Sequence, residues 1–281
     1  MTARYAVVSL LYVIYILTIG GSDSSGGAGI QADMKTITSL GAHALTAVTA
    51  ITVQNSLGIV KTHDVPEKIV SLQIKTIIED QFPDAVKTGM LHRGSTIRKV
   101  SWAIKKNRLK RVVVDPVIRA SAGGQLLEGS AVTLLKDLLL PLAMVITPNL
   151  DEAGMLTGKR VENLNQMEEA ARKLKDLGPD VVVTGGHLEG NCIDLLYDGK
   201  DMHYFQDPKI ETANTHGSGC VFSTSLATFL AMDHDLIEAT RLAHDFTRHA
   251  IEKSYSCGRG AGVVHPGYSP LKKRIIAKKV G

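Results

Sequence analysis

Short apolar runs rich in Val, Ile and Leu alternate along the chain with longer segments whose apolar positions recur every three or four residues. The first pattern reads as buried strand and the second as amphipathic helix. Strands are predicted over Tyr12–Ile19, Ala44–Val53, Ala85–Lys87, Val112–Val114, Ala143–Thr147 and Val181–Thr184. Helices are predicted from a Ser24 or Ser25 cap to Leu40, and over Pro66–Glu79, Ser95–Asn107, Ser130–Leu140, Val221–Met232 and Leu236–Lys253. Two more begin after Asn149 and after an Asn165 cap backed by Glu168. Ile193–Leu196 and Met202–Phe205 flank Asp198–Gly199, a hairpin turn signal. Such alternation predicts an α/β fold, a mostly parallel sheet with helices on both faces.

Composition narrows this picture. At 281 residues, 44% hydrophobic and 21% charged, the chain suits one large α/β domain. That domain is expected over residues 12–270, with an extension at 1–11 and a solvated basic tail at 271–281 carrying Lys272, Lys273, Arg274, Lys278 and Lys279. The net charge of +4 favours anionic substrates only weakly and argues little for nucleic acid. The three widely spaced cysteines oppose a disulfide framework and a zinc site, so a reducing, cytoplasmic setting is expected. The apolar run Ala6–Ile19 is shorter than the ~20 residues of a spanning helix and leads straight into a Gly-rich turn. It reads as a buried first strand rather than a membrane anchor.

Candidate chemistry lies where strands end. Gly20–Asp33 is a Gly-rich strand-to-helix turn, yet neither G-x-G-x-x-G nor G-K-[ST] occurs. Asp23 falls at the carboxyl end of the strand, where open α/β sheets bind ligands. Gln54, at the next strand end, offers an acceptor beside an amide donor, a match for an aminopyrimidine edge; it could equally be a polar loop residue. Asn149 and Glu152 stand three apart at a helix start and could hold hydrated Mg²⁺ beside phosphates, or simply cap the helix. Asn214–Cys220, N-T-H-G-S-G-C, leads into a helix. Its unpaired N–H groups and the macrodipole would bind an anion and favour a Cys220 thiolate. The plainer reading is a Gly-rich N-cap with a buried cysteine. All these motifs fall on one rim of the predicted sheet.

Taken together the motifs resemble those of the ribokinase superfamily, through N-L-D-E at Asn149–Glu152 and the Gly217–Cys220 turn. Within it the chain is similar to hydroxymethylpyrimidine and phosphomethylpyrimidine kinases of thiamin synthesis. The supporting motifs are G-S-D-S-S-G-G-A-G-I-Q-A-D at Gly21–Asp33, T-A-V-T-A at Thr46–Ala50 with Gln54–Asn55, K-T-G-M-L at Lys87–Leu91, V-D-P-V at Val114–Val117, T-P-N at Thr147–Asn149 and G-G-H at Gly185–His187. The resemblance implies an ATP- and Mg²⁺-dependent phosphotransferase acting on 4-amino-5-hydroxymethyl-2-methylpyrimidine and its monophosphate, with a pyridoxine or pyridoxal kinase as the alternative. It implies a small β flap near the substrate site and a homodimer. Cys220 would be the general base, with Gly217, Ser218 and Gly219 as the anion hole. Gln54, Gly21, Asp23 and Met90 would bind substrate. Asn149, Thr184, Gly186 and His187 would bind ATP, with Glu152 and Asn149 at the metal. Thr184, Ser121 and Glu211 depart from the residues usual in that family.

Overall fold

A computed structural model describes residues 13–119, 126–186, 188 and 190–267. The extension at 1–11, the tail at 271–281, Ser121 and His187 lie outside the described residues. Among the described residues nine strands form one sheet in the order β3-β2-β1-β4-β5-β6-β7-β8-β9. Its middle is parallel: β1 (Tyr15–Asp23), β2 (His43–Asn55), β4 (Ala85–Thr88), β5 (Val112–Val114), β6 (Val145–Ile146) and β7 (Asp180–Gly185). Antiparallel strands close both edges: β3 (Gly58–Asp64) on β2, and the hairpin β8 (Asn191–Tyr197) with β9 (Met202–Pro208) beside β7.

Because the central strands are covered on both sides, they read as continuous apolar runs rather than alternating ones. Successive residues divide between two cores. Leu17, Ile19, Val86, Val112 and Val114 pack with helices α2 (Glu67–Asp80), α3 (Gly94–Asn107), α5 (Leu150–Thr157) and α6 (Leu164–Lys175). Ile16, Ala85, Val113, Val145 and Val182 face α1 (Gly29–Ser39), α7 (Ser218–Ala231) and α8 (Leu236–Glu252). The parallel sheet between two helical layers is the architecture expected from the pattern.

Three boundaries differ from expectation. Helix α1 begins at Gly29, and neither Ser24 nor Ser25 caps it. The Asp23 carboxylate accepts the N–H groups of Ser25, Gly27 and Ala28 instead, and the turn this requires puts Gly26 and Gly29 at positive φ. Asn163, not Asn165, caps α6, its side chain accepting from Gln166 N–H. The predicted helix Ser130–Leu140 is three pieces: α4 (Gly129–Leu134), a π turn over Leu135–Leu139 and a 3₁₀ turn over Leu140–Leu142. Pro141 has no N–H to continue the α ladder. Among the described residues no helix is long and apolar enough to cross a membrane.

Candidate active site

The carboxyl ends of β1, β2, β4, β5, β6 and β7 surround a cavity of about 140 Å³. Gly21, Asp23, Gln54, Met90, Asn149, Glu152, Thr184, Gly217, Gly219 and Cys220 all line it, so residues 199 positions apart in sequence share one space. Ser218 and the exposed Gly186 are not among its lining residues.

Two register irregularities lie beside Gln54 and Asp23. Val60 of β3 is an extra residue opposite the Val53–Gln54 step of β2, and Gln54 lines the cavity. A second shift lies between Gly20 and Ser22, beside Gly21 and Asp23. Thr52 donates to Gln54 Oε1 at 3.1 Å, and Gln54 Nε2 lies 3.4 Å from His216 Nε2. Gly21 packs against Met90: a Cβ there would stand 3.0 Å from Met90 Sδ, so a side chain would require Met90 to shift. His216 Nε2 also reaches Asp23 Oδ2 at 2.9 Å. Burial opposes ionisation of Asp23, but its bonds to His216 and to the Ser25 and Ala28 groups hold its pKa well below the usual carboxylate range.

The first turn of α7 is built against the first glycine turn. Gly217 caps the helix at φ 89°, and a Cβ on it would fall 2.0 Å from the Gly27 carbonyl oxygen. The first intrahelical bond runs from Val221 N–H to Gly217. Ser218 N–H donates to the Thr215 carbonyl, so of the three residues expected to meet an anion Ser218 has its N–H already taken.

Cys220 itself differs from expectation. Burial pushes its thiol up to about 12, and Asp33 and Asp115 push the same way. The Lys87 ammonium and a hydrogen bond from Gly29 N–H pull it down. The helix N-terminus alone therefore does not make a resting thiolate. Lys87, Asp33 and Asp115 also line the cavity, and none was singled out as a site residue from sequence. Lys87 Nζ is 3.0 Å from both Asp33 oxygens and 3.9 Å from Asp115 Oδ2. The available signal was a charged residue inside the apolar strand A-V-K-T, since lysine is almost never fully buried without a partner. His216, inside N-T-H-G-S-G-C, was likewise missed.

At the ends of β6 and β7, Asn149 and Thr184 sit side by side as an isolated parallel bridge, and Thr184 N–H donates to the Pro148 carbonyl. Asn149 and Glu152 form a capping box on α5. The Glu152 carboxylate accepts the N–H groups of Ile118 (3.0 Å) and Asn149 (3.1 Å), one on each oxygen. Burial and the nearby Asp115 charge push its pKa up to about 8. Among the described residues no group of three or more His, Cys, Asp or Glu side chains is placed to hold a metal ion.

A cysteine-bearing helix N-terminus at the rim of a mostly parallel, helix-flanked sheet fits a kinase of the ribokinase-like fold. The chain belongs to the phosphomethylpyrimidine kinase family, whose model matches residues 23–265. It is 41% identical over 249 residues to the hydroxymethylpyrimidine/phosphomethylpyrimidine kinase of Bacillus subtilis, covering 88% of this chain and 92% of that one. It is 44% identical over 252 residues, 89% of this chain, to the thiamine biosynthesis bifunctional protein ThiED of Geobacter sulfurreducens, and spans about half (51%) of its length. Among solved structures, an ADP complex of Bacillus subtilis pyridoxal kinase superposes with a TM-score of 0.85 at 37% identity, covering 90% of this chain and 97% of that one.

Proposed function

We propose that the chain transfers the γ-phosphoryl group of ATP to the hydroxymethyl oxygen of 4-amino-5-hydroxymethyl-2-methylpyrimidine, then a second phosphoryl group to the monophosphate, giving the pyrophosphate used in thiamin biosynthesis. Family membership and the name of the Bacillus subtilis kinase support the substrate, the name of the Geobacter sulfurreducens relative supports thiamin biosynthesis, and the ADP bound by the structural neighbour supports the nucleotide. The observation that carries the reading is the sharing of one cavity by the Gln54 amide and the Cys220 turn. An amide pair recognises an aminopyrimidine edge, and a base beside N–H donors suits transfer to an adjacent hydroxyl.

Phosphoryl transfer is a matter of positioning and charge stabilisation, with little covalent work for the protein. In this reading Gln54 orients the ring, with Gly21, Asp23 and Met90 around it. Cys220 takes the hydroxyl proton, while the Gly219 and Cys220 N–H groups hold the transferred group. Asn149, Thr184, Gly186 and His187 serve the nucleotide. The donor set fits Mg²⁺: Glu152 is buried beside a second carboxylate, and each of its oxygens keeps a lone pair after accepting one backbone N–H. Glu152, with Asn149, would hold the ion, which when bound neutralises charge on the phosphates.

A second reading, a pyridoxal kinase, is favoured by the ADP-complex structure. Incubation with MgATP and the pyrimidine alcohol, followed by mass, tests the first: two successive phosphate additions are expected. Pyridoxal in competition separates the readings, because it lacks the amino group that Gln54 reads. Preferential phosphorylation of pyridoxal would replace the pyrimidine assignment. The same reading takes the protein as cytoplasmic and as a homodimer, the dimer being supported by Ile51, Val53 and Val60 lying exposed on the β2–β3 flap.

A further inference from the structure

Lys87 lies within β4, where all four residues are buried, and its side chain is 1% exposed. Its ion pair with Asp33 is embedded further, since Asp33 also accepts the hydroxyls of Thr18 and Thr224. For stability alone this is a poor arrangement, because a buried pair can often be replaced by apolar side chains at no cost. Its placement gives it another use. A Cβ on Gly89 would stand 3.0 Å from Lys87 Nζ, so the ammonium lies immediately beneath a cavity-lining glycine. Lys87 Nζ is held between Asp33 on α1 and Asp115 after β5, and these two carboxylates in turn accept the hydroxyls of Thr224 and Ser223, one helical turn beyond Cys220 on α7; Lys87 and Cys220 line the same cavity. The two carboxylates oppose a thiolate, and Lys87 and the Gly29 N–H are the groups that favour one.

We propose that Lys87 is a positioning residue for Cys220: its buried ammonium makes the thiolate accessible, so that Cys220 can take the substrate hydroxyl's proton. This rests on the general-base reading of Cys220 given above. In the first transfer the substrate O–H bond breaks as the S–H bond forms. The oxygen's electron pair forms the new O–P bond while the bond from phosphorus to the leaving ADP oxygen breaks. Lys87 keeps its proton throughout, and the thiol returns its proton to water after product leaves. In the second transfer the monophosphate oxygen is already anionic, no proton moves to sulfur, and Lys87 has no thiolate to sustain.

The test is a double-mutant cycle on single-turnover rates of the first phosphorylation, using Lys87→Met, Cys220→Ala and both together. Lys87→Met is expected to slow the first step about tenfold or more, the effect of one pKa unit on the thiolate fraction. In the Cys220→Ala background the same change is expected to cost under about twofold, the limit of additivity error. Independently, alkylation of Cys220 at fixed pH in a Cys192→Ser/Cys257→Ser chain should fall about tenfold with Lys87→Met. If Lys87→Met does not fold, Lys87→Gln, which removes the ammonium but keeps an N–H donor for Asp33, takes its place in both experiments. A Lys87 loss that persists undiminished without Cys220, or an unchanged alkylation rate, would overturn the proposal. Full first-step activity in Cys220→Ala would instead remove the base reading, and with it the role of Lys87.

Discussion

Asp23 Oδ2 and His216 Nε2 meet at 2.9 Å across 193 positions of sequence, joining the first glycine turn to the turn before α7. The same carboxylate oxygen accepts the Gly27 and Ala28 N–H groups, so one side chain organises both turns. Close backbone approach supports the union: a Cβ on Gly27 would fall 2.4 Å from the His216 ring.

Asp23→Asn should therefore destabilise the fold by about 1–3 kcal/mol, the range for disrupting buried charge-assisted bonds. The Asp23 pKa is depressed in the folded state, so its contribution is present above the ordinary carboxylate value of 3.8 and is lost as pH falls through the depressed one. The gap in Tm between wild type and variant should hold from neutral pH down to pH ~4 and close only below that. A gap that closes between pH 7 and 5 would show that another group is responsible.

Gln54→Ala should leave the pyrimidine's amino edge unpaired. Loss of such a bidentate pair typically costs about 1–3 kcal/mol. Calorimetry should show weaker pyrimidine binding with nucleotide binding intact. Unchanged pyrimidine affinity would mean that Gln54 serves only its bonds with Thr52 and the flap.

Glu152 has two possible tasks, a cap and a metal ligand, and Glu152→Gln separates them. The glutamine keeps the shape but cannot ionise, so it cannot supply the carboxylate that Mg²⁺ would draw from a group whose pKa burial raises to about 8. Turnover should fall at low Mg²⁺ and recover in part when Mg²⁺ is raised. Wild-type activity at low Mg²⁺ with a lowered Tm would leave only the capping box.

Far from the cavity, His244 is clamped between Asp194 (2.7 Å) and Asp207 (3.1 Å). Burial works against its charge, but the two carboxylates outweigh it and raise its pKa. A raised histidine stabilises the fold below its ordinary value near 6.5, and that contribution is lost as pH rises through the elevated value. His244→Gln should lower Tm at pH 6 more than at pH 9. Equal losses at both would assign His244 a packing role alone.

Much of this was legible in the sequence because it depends on local signals. Short apolar runs and period-3.6 patterns locate the strands and helices, and glycine clusters after strands locate the rim. What was not legible depends on distant partners. Nothing near Lys87 in sequence announces Asp33, 54 positions away, as the charge that lets it be buried. The Asp23 carboxylate displaced the serine cap because it takes three N–H groups of the turn at once, a geometry that spacing does not encode. The thiolate expectation for Cys220 weighed the helix dipole, which is local, and omitted desolvation, which only the packed structure reveals.

The central claim is that Cys220 is a base while the N–H groups of its turn are a separate device. Base catalysis of this kind is typically worth ~10²–10⁴ in rate. The alcohol must lose a proton to attack, whereas the monophosphate oxygen is already anionic, and Cys220→Ala leaves the backbone donors in place. The most direct measurement supplies alcohol and monophosphate separately to Cys220→Ala and compares single-turnover rates with wild type. The first phosphorylation is expected to fall by at least about a hundredfold, with the second within a few-fold of wild type. Equal losses in both steps would contradict the claim and make Cys220 a shaping residue of the turn.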